Sequence, residues 1–261
     1  MDPPIPPGAR LARQAVLREL DAARIGAARV LVVGCGGLGA PVIQYLAAGG
    51  VRALTLVDDD VVEPSNLNRQ VLFGERDIGH KKALAAAAWV NRLDGSVVVE
   101  ARTDRIVGAT VRRAVAEHDL VIDCSDGMPT KFLLNDACVL EDRPLVHGAA
   151  TSWAGQVLVV PGRRGPCLRC LFEEPPPRDQ VPTCRTAGIL GAVTGTVGAL
   201  MAAEALKALS HTNAPALVGR FLAVDVLASS FRALAFTRST DCAACGDAPS
   251  VDVMNVTDYE R

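Results

Sequence analysis

The sequence predicts an α/β fold: a sheet built from βαβ units and extended by further, partly antiparallel strands. Three observations carry that expectation. Short aliphatic runs alternate with helical stretches through the first 150 residues, the pattern of parallel strands joined by crossover helices. The first run continues as RVLVVGCGGLGA over 29–40, which sets Gly34, Gly36 and Gly39 in G-x-G-x-x-G spacing between a strand and a helix. After Gly148 the character changes, and Gln156–Val160 and Arg220–Val226 read as strands of a further, antiparallel portion. The class is therefore α/β with a Rossmann-like nucleotide-binding sheet.

The elements follow in order. Met1–Gly8 is proline-rich and reads as an extended, poorly ordered arm. Arg10–Ile25 is predicted as a helix. Val30–Val33 is β-branched and aliphatic, a strand. Leu38–Ala48 lacks alternation and reads as a helix. Ala53–Val57 is the next strand, with Asp58 at its tip, about 20 residues beyond the glycines, where an acid commonly bonds a ribose hydroxyl. Helices are predicted over Lys82–Asn91, Ala109–His118 and Pro129–Glu141, and strands over Val97–Ala101, Leu120–Asp123 and Leu145–His147. Gln156–Val160 and Arg220–Val226 are the strands of the later, antiparallel portion. Between them Glu173–Thr186 is acidic, proline-rich and aperiodic, a long loop of the kind that is often functional.

Ala187–Leu209 is long and apolar enough to span a bilayer, and Gly191 and Gly195 have the spacing of a membrane-helix dimer motif. Glu204 and Lys207 interrupt it and no aromatic belt flanks it, so a buried helix after a glycine-rich turn is expected. The formal net charge is −2 with scattered Lys and Arg, which gives no case for nucleic-acid binding. No basic segment precedes an apolar one at the start of the chain, so a cytoplasmic protein without a membrane partner is expected. The domain reading is an arm over 1–8, one domain over 9–247 and a tail over 248–261.

Eight cysteines occur. Cys167 and Cys170 form one C-x-x-C, and Cys242 and Cys245 another. Thiolates two residues apart on a turn reach one ion, and two such knuckles complete a tetrahedron around zinc. Gly165, Pro166 and Gly246 supply the turns. A redox dithiol usually opens a helix after a strand, and disulfides are disfavoured in a cytosolic protein; structural zinc is the expectation. Cys35, Cys124 and Cys138 read as core. Cys184, in the proline-rich loop beside Arg185, is the cysteine whose neighbour favours thiolate. His118 and His211 read as surface residues.

After Asp58 comes DDVVEPSNLNRQVLFG, residues 59–74. Ser65 is a candidate N-cap of a short helix. Asn66, Arg69 and Gln70 then fall at i, i+3 and i+4 on one face, and two amides around a guanidinium suit a polyphosphate. This stretch resembles the adenylation motif of the ThiF/MoeB family, bacterial relatives of ubiquitin-activating enzymes. The likeness covers roughly residues 9–247. ARQAVL (Ala12–Leu17) resembles the N-terminal arginine motif, and IGHKKALAA (Ile78–Ala86) the helix with a phosphate lysine. DCSDGMPTKFLLNDAC (Asp123–Cys138) resembles the magnesium-acid segment. VPTCRTAGILG (Val181–Gly191) resembles the crossover loop with its cysteine, and the paired C-x-x-C the family's zinc site.

The resemblance implies roles. Gly37 would lie against the adenosine and α-phosphate, and Asp58 would hold the ribose. Ser65, Asn66, Leu67, Asn68, Arg69 and Gln70 would line the nucleotide, with Asn66, Arg69 and Gln70 on the phosphates. Lys82, rather than Lys81, would be the phosphate lysine. Asp126 would bind Mg2+, next to Gly127, which stands where the family usually has Asn. Arg13 would be an arginine finger reaching across a homodimer. Cys184 would form a covalent link to the activated carrier in the manner of some members. His147 and Trp153 fall on the segment that faces the carrier in the family.

The implied activity is ATP-dependent adenylation of the C-terminal carboxylate of a ubiquitin-like sulfur-carrier protein ending in Gly-Gly, with sulfur supplied by a separate donor protein. ATP, Mg2+ and Zn2+ are the expected cofactors. A carboxylate with a pKa near 4 needs no general base to act as nucleophile at pH 7, in keeping with the lack of a Ser-His-Asp set or a G-x-x-x-x-G-K-[ST] loop. Two alternatives stand beside it: a same-fold enzyme for a small-molecule or tRNA-linked carboxylate, and a non-catalytic scaffold. Arg13, Arg69, Lys82 and Asp126 together argue against the scaffold. A nicotinamide dehydrogenase has only the opening glycines in its favour.

Overall fold

The computed structural model describes residues 8–177, 184–210, 217–255 and 259, with Arg164, Cys184 and Arg185 described by backbone alone. Eight strands form one sheet in the order β3-β2-β1-β4-β5-β6-β7-β8. Those that run parallel are β1 (Arg29–Val33), β2 (Ala53–Val57), β3 (Val98–Arg102), β4 (Leu120–Asp123) and β5 (Leu145–Thr151). β6 (Ala154–Val160), β7 (Arg220–Asp225) and β8 (Ser230–Ala235) continue the sheet antiparallel. The chain steps outward from β1 to β3, then returns to place β4 on the other side of β1. That reversal opens a crevice beyond the carboxyl ends of β1 and β4, where open α/β sheets bind ligands.

Among the described residues, eight α-helical segments accompany the sheet: α1 (Ala22–Ala27), α2 (Gly39–Ala48), α3 (Lys82–Leu93), α4 (Gly108–Ala116), α5 (Met128–Leu140), α6 (Leu168–Leu171), α7 (Cys184–Ala187) and α8 (Gly191–Ser210). One apolar layer joins α2, α3 and α8 to Val30, Val32, Leu54, Leu56 and Ile122. The other joins α4, α5 and the two cysteine pairs to Leu31, Val33, Val121 and Leu158. Alternate residues of the central strands feed opposite layers, so these strands read as continuous apolar runs.

α8 is the helix expected over Ala187–Leu209. Val193, Val197, Met201, Ala205 and Leu209 face the sheet and are buried. By length and composition it could cross a membrane, and half of its apolar window is buried inside the protein. Gly198 permits its close crossing of α2: a Cβ there would lie 2.4 Å from the Pro41 ring. Gly195 has open space around it, so the membrane-dimer spacing is not used within the chain.

Several expectations shift. The helix expected over Arg10–Ile25 is instead two 3-10 turns, Ala9–Leu11 and Gln14–Val16, followed by α1. Asp21 is the reason: its carboxylate accepts the amides of Ala23 and Arg24 and starts a new helix there. β5 runs on to Thr151 and pairs along its whole length with β6. β8 had no sequence forecast. It is an edge strand with most side chains exposed, and so lacks alternation. In the segment after residue 247, Val253 packs its carbonyl against Gly108, and Tyr259 is buried. Residues 1–7, the centre of the proline-rich loop at 178–183 and His211 lie outside the described residues.

Candidate active site and zinc centre

The glycine turn begins where β1 ends. Gly34 adopts φ +95°, and a Cβ on it would meet the Cys124 carbonyl oxygen at 2.6 Å. Only glycine fits this left-handed, crowded position. The turn brings the Cys35 amide to Asp58 Oδ2 at 2.7 Å, while the Asp60 amide donates to Oδ1 at 2.9 Å. Burial pushes the Asp58 carboxyl above the usual range, against the pull of those two amides. Asp58 is thus held at the tip of β2 across the mouth of the glycine turn, as its spacing implied.

The next loop corrects the sequence reading. Pro64–Asn66 forms a 3-10 turn whose N-cap is Glu63, not Ser65. Pro64 takes the first helical position, where its missing amide hydrogen costs nothing. The Arg69 and Gln70 amides both donate to Asn66 O, at 3.0 and 2.9 Å. Asn66, Arg69 and Gln70 do not share one exposed face. Asn66 and Gln70 are buried, and the Gln70 amide packs against Gly36, where a Cβ would lie 3.4 Å from Nε2. Gln70 Oε1 is buried without a partner among the described residues. Arg69 folds back, with Nη1 donating to Ser65 O at 2.8 Å and Asn68 Oδ1 at 3.1 Å. Ser65 and Asn68 are exposed, and Leu67 packs on the core.

Lys82 opens α3. Its ammonium is buried and 2.8 Å from Asp60 Oδ2, next to the Asp58 carboxylate. Lys81 instead donates to Asp59 O. α8 comes in from above: Thr194 touches Gly37, and Gly191 lies so close to Asn68 that a Cβ would meet its carbonyl oxygen at 2.3 Å. Asp126 is exposed in the β4–α5 loop, bonded to no described residue, and Gly127 is the N-cap position of α5. Arg13 is exposed at the start of the Gln14–Val16 turn and has no partner among the described residues. Gln14 Nε2 ties that turn to Gly49 O at 2.7 Å. Contacts thus link the glycine turn to Asp58 and Gln70, and the Asp58 loop to Lys82, around the carboxyl ends of β1 and β2, while Asn66 Oδ1 is taken up by the Glu63 amide of its own turn.

The cysteines divide as the sequence suggested. Cys35, Cys124 and Cys138 are buried, and burial raises each thiol, so none is poised as a nucleophile. Cys184 begins α7, and its side chain lies outside the described residues. The Sγ atoms of Cys167, Cys170, Cys242 and Cys245 all lie within 4.8 Å of one another. Cys167 and Cys242 are 3.6 Å apart, Cys170 and Cys245 3.4 Å. A disulfide needs about 2.05 Å, whereas Zn–S bonds of about 2.3 Å give a tetrahedron edge near 3.8 Å. The four sulfurs fit a zinc ion. Asn135 Oδ1 receives the Leu168 amide, and Arg169 pairs with Asp136, so α5 supports the first knuckle from below.

Two histidines differ from expectation. His118 is buried, between Ala114 O at 2.6 Å and Thr55 Oγ1 at 2.7 Å. His147 does not face outward: it is buried on β5, with Nδ1 2.7 Å from Asp123 Oδ2. Trp153, in the β5–β6 turn, is 44% exposed. Sequence reasoning also passed over Asp123 and Lys131, which join His147 in one buried cluster. Only the cross-strand register of Asp123 with His147 brings them together.

Comparison with known proteins places this architecture. The ThiF family model matches residues 9–244. "Adenylyltransferase and sulfurtransferase MOCS3" of Bos taurus is 47% identical over 98% of this chain and 58% of its own length. The "SAMP-activating enzyme E1" of Haloferax volcanii is 48% identical over 90% of this chain and 86% of its own. The "Sulfur carrier protein adenylyltransferase" of Thermus thermophilus is 46% identical over 91% and 88%. The chain thus spans little more than half the length of the MOCS3 relatives. Among solved structures, Escherichia coli MccB with ATP superposes at a TM-score of 0.76 over 87% of this chain and 69% of that one, at 22% identity, a likeness of fold. On the family match along nearly its whole length, and on relatives nearly half identical, the chain belongs to the ThiF family.

Proposed function

We propose that this protein adenylates the C-terminal carboxylate of a ubiquitin-like sulfur-carrier protein ending in Gly-Gly, consuming ATP and releasing pyrophosphate. The observation that carries the reading is the crevice where Gly37, Asp58, the orphaned Gln70 oxygen and buried Lys82 converge. The names of the Haloferax and Thermus relatives support it. A carboxylate oxygen of the carrier attacks the α-phosphorus, the bond to the bridging oxygen breaks, and pyrophosphate leaves. Charge grows on phosphoryl oxygens, so catalysis is chiefly positioning and cationic stabilisation.

Each side chain then has a task. Asp58 accepts from the ribose. Asn66 and Gln70 bond phosphate oxygens. Lys82 leaves Asp60 for the triphosphate, and Arg69 opens from its own turn to join it. The Asp126 carboxylate, exposed and unengaged among the described residues, suits a hard cation. Mg2+ held there, beside Gly127, would neutralise charge on the triphosphate. Zinc on the four cysteines is structural, since four thiolates leave no open position. Cys184 would act after adenylation, its thiolate attacking the acyl carbon and expelling AMP to leave a thioester, with sulfur delivered from a separate donor protein.

A homodimer completes the site. Val16 and Leu17, which follow Arg13 closely in the chain, are exposed, as is Tyr45, which lines one groove with Gln14. That groove, of about 330 Å³, runs between α2 and α8, floored by Ala48, Ala199, Ala203 and Leu206. Burying this face against a second copy would carry Arg13 toward the partner's crevice. The test is calorimetry: Mg2+-dependent ATP binding with no comparable NAD binding is expected, and NAD in the crevice would contradict the reading.

A further inference from the structure

Asp123 ends β4 with a carboxylate that is wholly enclosed. Its Oδ1 accepts the Ser125 amide at 3.0 Å and the Ser125 hydroxyl at 2.6 Å. Its Oδ2 accepts His147 Nδ1 at 2.7 Å and lies 3.4 Å from Lys131 Nζ. Lys131 also donates to Gly148 O at 2.8 Å. Asp123, His147 and Lys131 are 0%, 1% and 3% exposed. One carboxylate thus ties the end of β4 to β5 and to the first turn of α5. Asp126 is the residue that follows Ser125.

Stability does not account for this trio. Burying ions costs several kcal/mol each before they pair, and apolar residues of similar volume commonly serve a fold as well or better. The adjoining strand positions, Val121, Ile122, Leu145 and Val146, are all apolar and fully buried. The histidine adds a further penalty. With Nδ1 donating to Asp123, Nε2 is an acceptor, and it is buried without a partner among the described residues. What the arrangement provides is geometry, at the ends of the two strands directly beneath the Asp126 loop.

We propose that His147 and Lys131 are positioning residues for Asp126. They fix the Asp123 carboxylate, Asp123 fixes Ser125, and the turn from Ser125 to Gly127 presents Asp126 to the triphosphate and its cation. The proposal rests on the nucleotide reading of the crevice given above. Residues that orient a metal ligand, without touching the metal, typically change its affinity 10- to 100-fold. His147 acts through Nδ1 alone, since Nε2 bonds nothing among the described residues.

The test uses the full chain with two variants. His147→Asn keeps an N–H donor near the position of Nδ1, and His147→Leu does not. Lys131→Met would leave Asp123 short of its cation and could unfold the protein, so the histidine pair carries the experiment. Two quantities are read: hydrogen exchange at the Ser125 amide in the free protein, and Mn2+ affinity in the presence of α,β-methylene ATP. Nucleotide affinity without metal and thermal unfolding serve as controls. H147L is expected to lose Ser125 protection and to bind Mn2+ roughly 10-fold more weakly, with metal-free nucleotide binding unchanged. H147N is expected to recover both. A folded H147L with wild-type Mn2+ affinity or wild-type Ser125 protection overturns this inference alone, as does an H147N no better than H147L. Wild-type protein that binds no Mn2+ with the nucleotide overturns the reading of the crevice, and this inference with it.

Discussion

Arg169→Met tests what holds the Cys167–Cys170 knuckle to the body of the protein. Arg169 is 8% exposed and Asp136 fully buried. Nε lies 2.9 and 3.0 Å from the two carboxylate oxygens, and Nη2 2.8 Å from Oδ2. Nη1 donates to Glu173 O, where the proline-rich loop begins, and the guanidinium stacks 5.1 Å from the Phe132 ring centroid. Methionine keeps most of the volume but leaves Asp136, among the described residues, with only Asn135 Nδ2 and the Tyr259 hydroxyl as donors. Breaking one side of such a buried pair destabilises by about 3–5 kcal/mol, a fall in midpoint of roughly 10 °C for a chain of this size. Urea unfolding of zinc-loaded protein measures it. Adding Asp136→Leu removes the stranded charge, and the double variant is expected to regain most of the loss. A single variant shifted by less than about 1 kcal/mol, the range of an exposed pair, would refute the reasoning.

Purified protein is expected to hold one zinc bound by Cys167, Cys170, Cys242 and Cys245. Such sites contribute on the order of 10 kcal/mol in peptide models, so strong chelation should lower the unfolding midpoint sharply; native protein without zinc and with four titratable thiols would contradict this. Burial lowers the pKa of His118, and likewise that of His147, which Lys131 also disfavours. Below about pH 6.5 the unfolded chain therefore takes up protons that the folded chain refuses, and stability should fall from pH 7 toward 5. Burial opposes ionisation of Asp123, but Lys131 and His147 outweigh it and hold the carboxyl at about 2; its contribution should vanish only as pH falls from about 4 toward 2. A midpoint flat between pH 7 and 5 would be incompatible with two neutral buried imidazoles. Cys184→Ser should leave carrier-dependent pyrophosphate exchange intact while removing any thiol-sensitive adduct seen by intact mass; loss of the exchange itself would show that the two steps are not separate.

What could be read in the sequence was local. β1, β2 and β4 were found to within a residue because strands buried on both faces are unbroken apolar runs. The C-x-x-C pairs and the glycine turn are short-range spacings, and so were visible. Asp58 and Lys82 could be placed because each lies at the end of an element whose start or finish is plain. Partnership across the sheet was not visible. Nothing near His147 in the sequence announces Asp123, and nothing near His118 announces Thr55, so both imidazoles passed for ordinary surface or partner-facing residues. The loop after Asp58 misled for another reason: helical spacing put Asn66, Arg69 and Gln70 on one face, but a 3-10 turn capped by Glu63 and preset by Pro64 leaves the two amide side chains buried. The N-terminal helix failed because Asp21 caps a new helix at α1, and Val16 and Leu17 ahead of it are exposed and pack on nothing among the described residues that would hold a longer one.

The central claim is that the crevice joins ATP to a protein carboxylate, and isotope exchange between pyrophosphate and ATP tests it most directly. Purified protein is incubated with Mg2+, ATP, labelled pyrophosphate and one sulfur-carrier protein ending in Gly-Gly at a time. The account predicts label in ATP only when a cognate carrier is present, with Asp126→Ala reducing the rate by at least about 10²–10³, as for loss of a transition-state stabiliser. Exchange at the same rate without any carrier, or undiminished in Asp126→Ala, would contradict it.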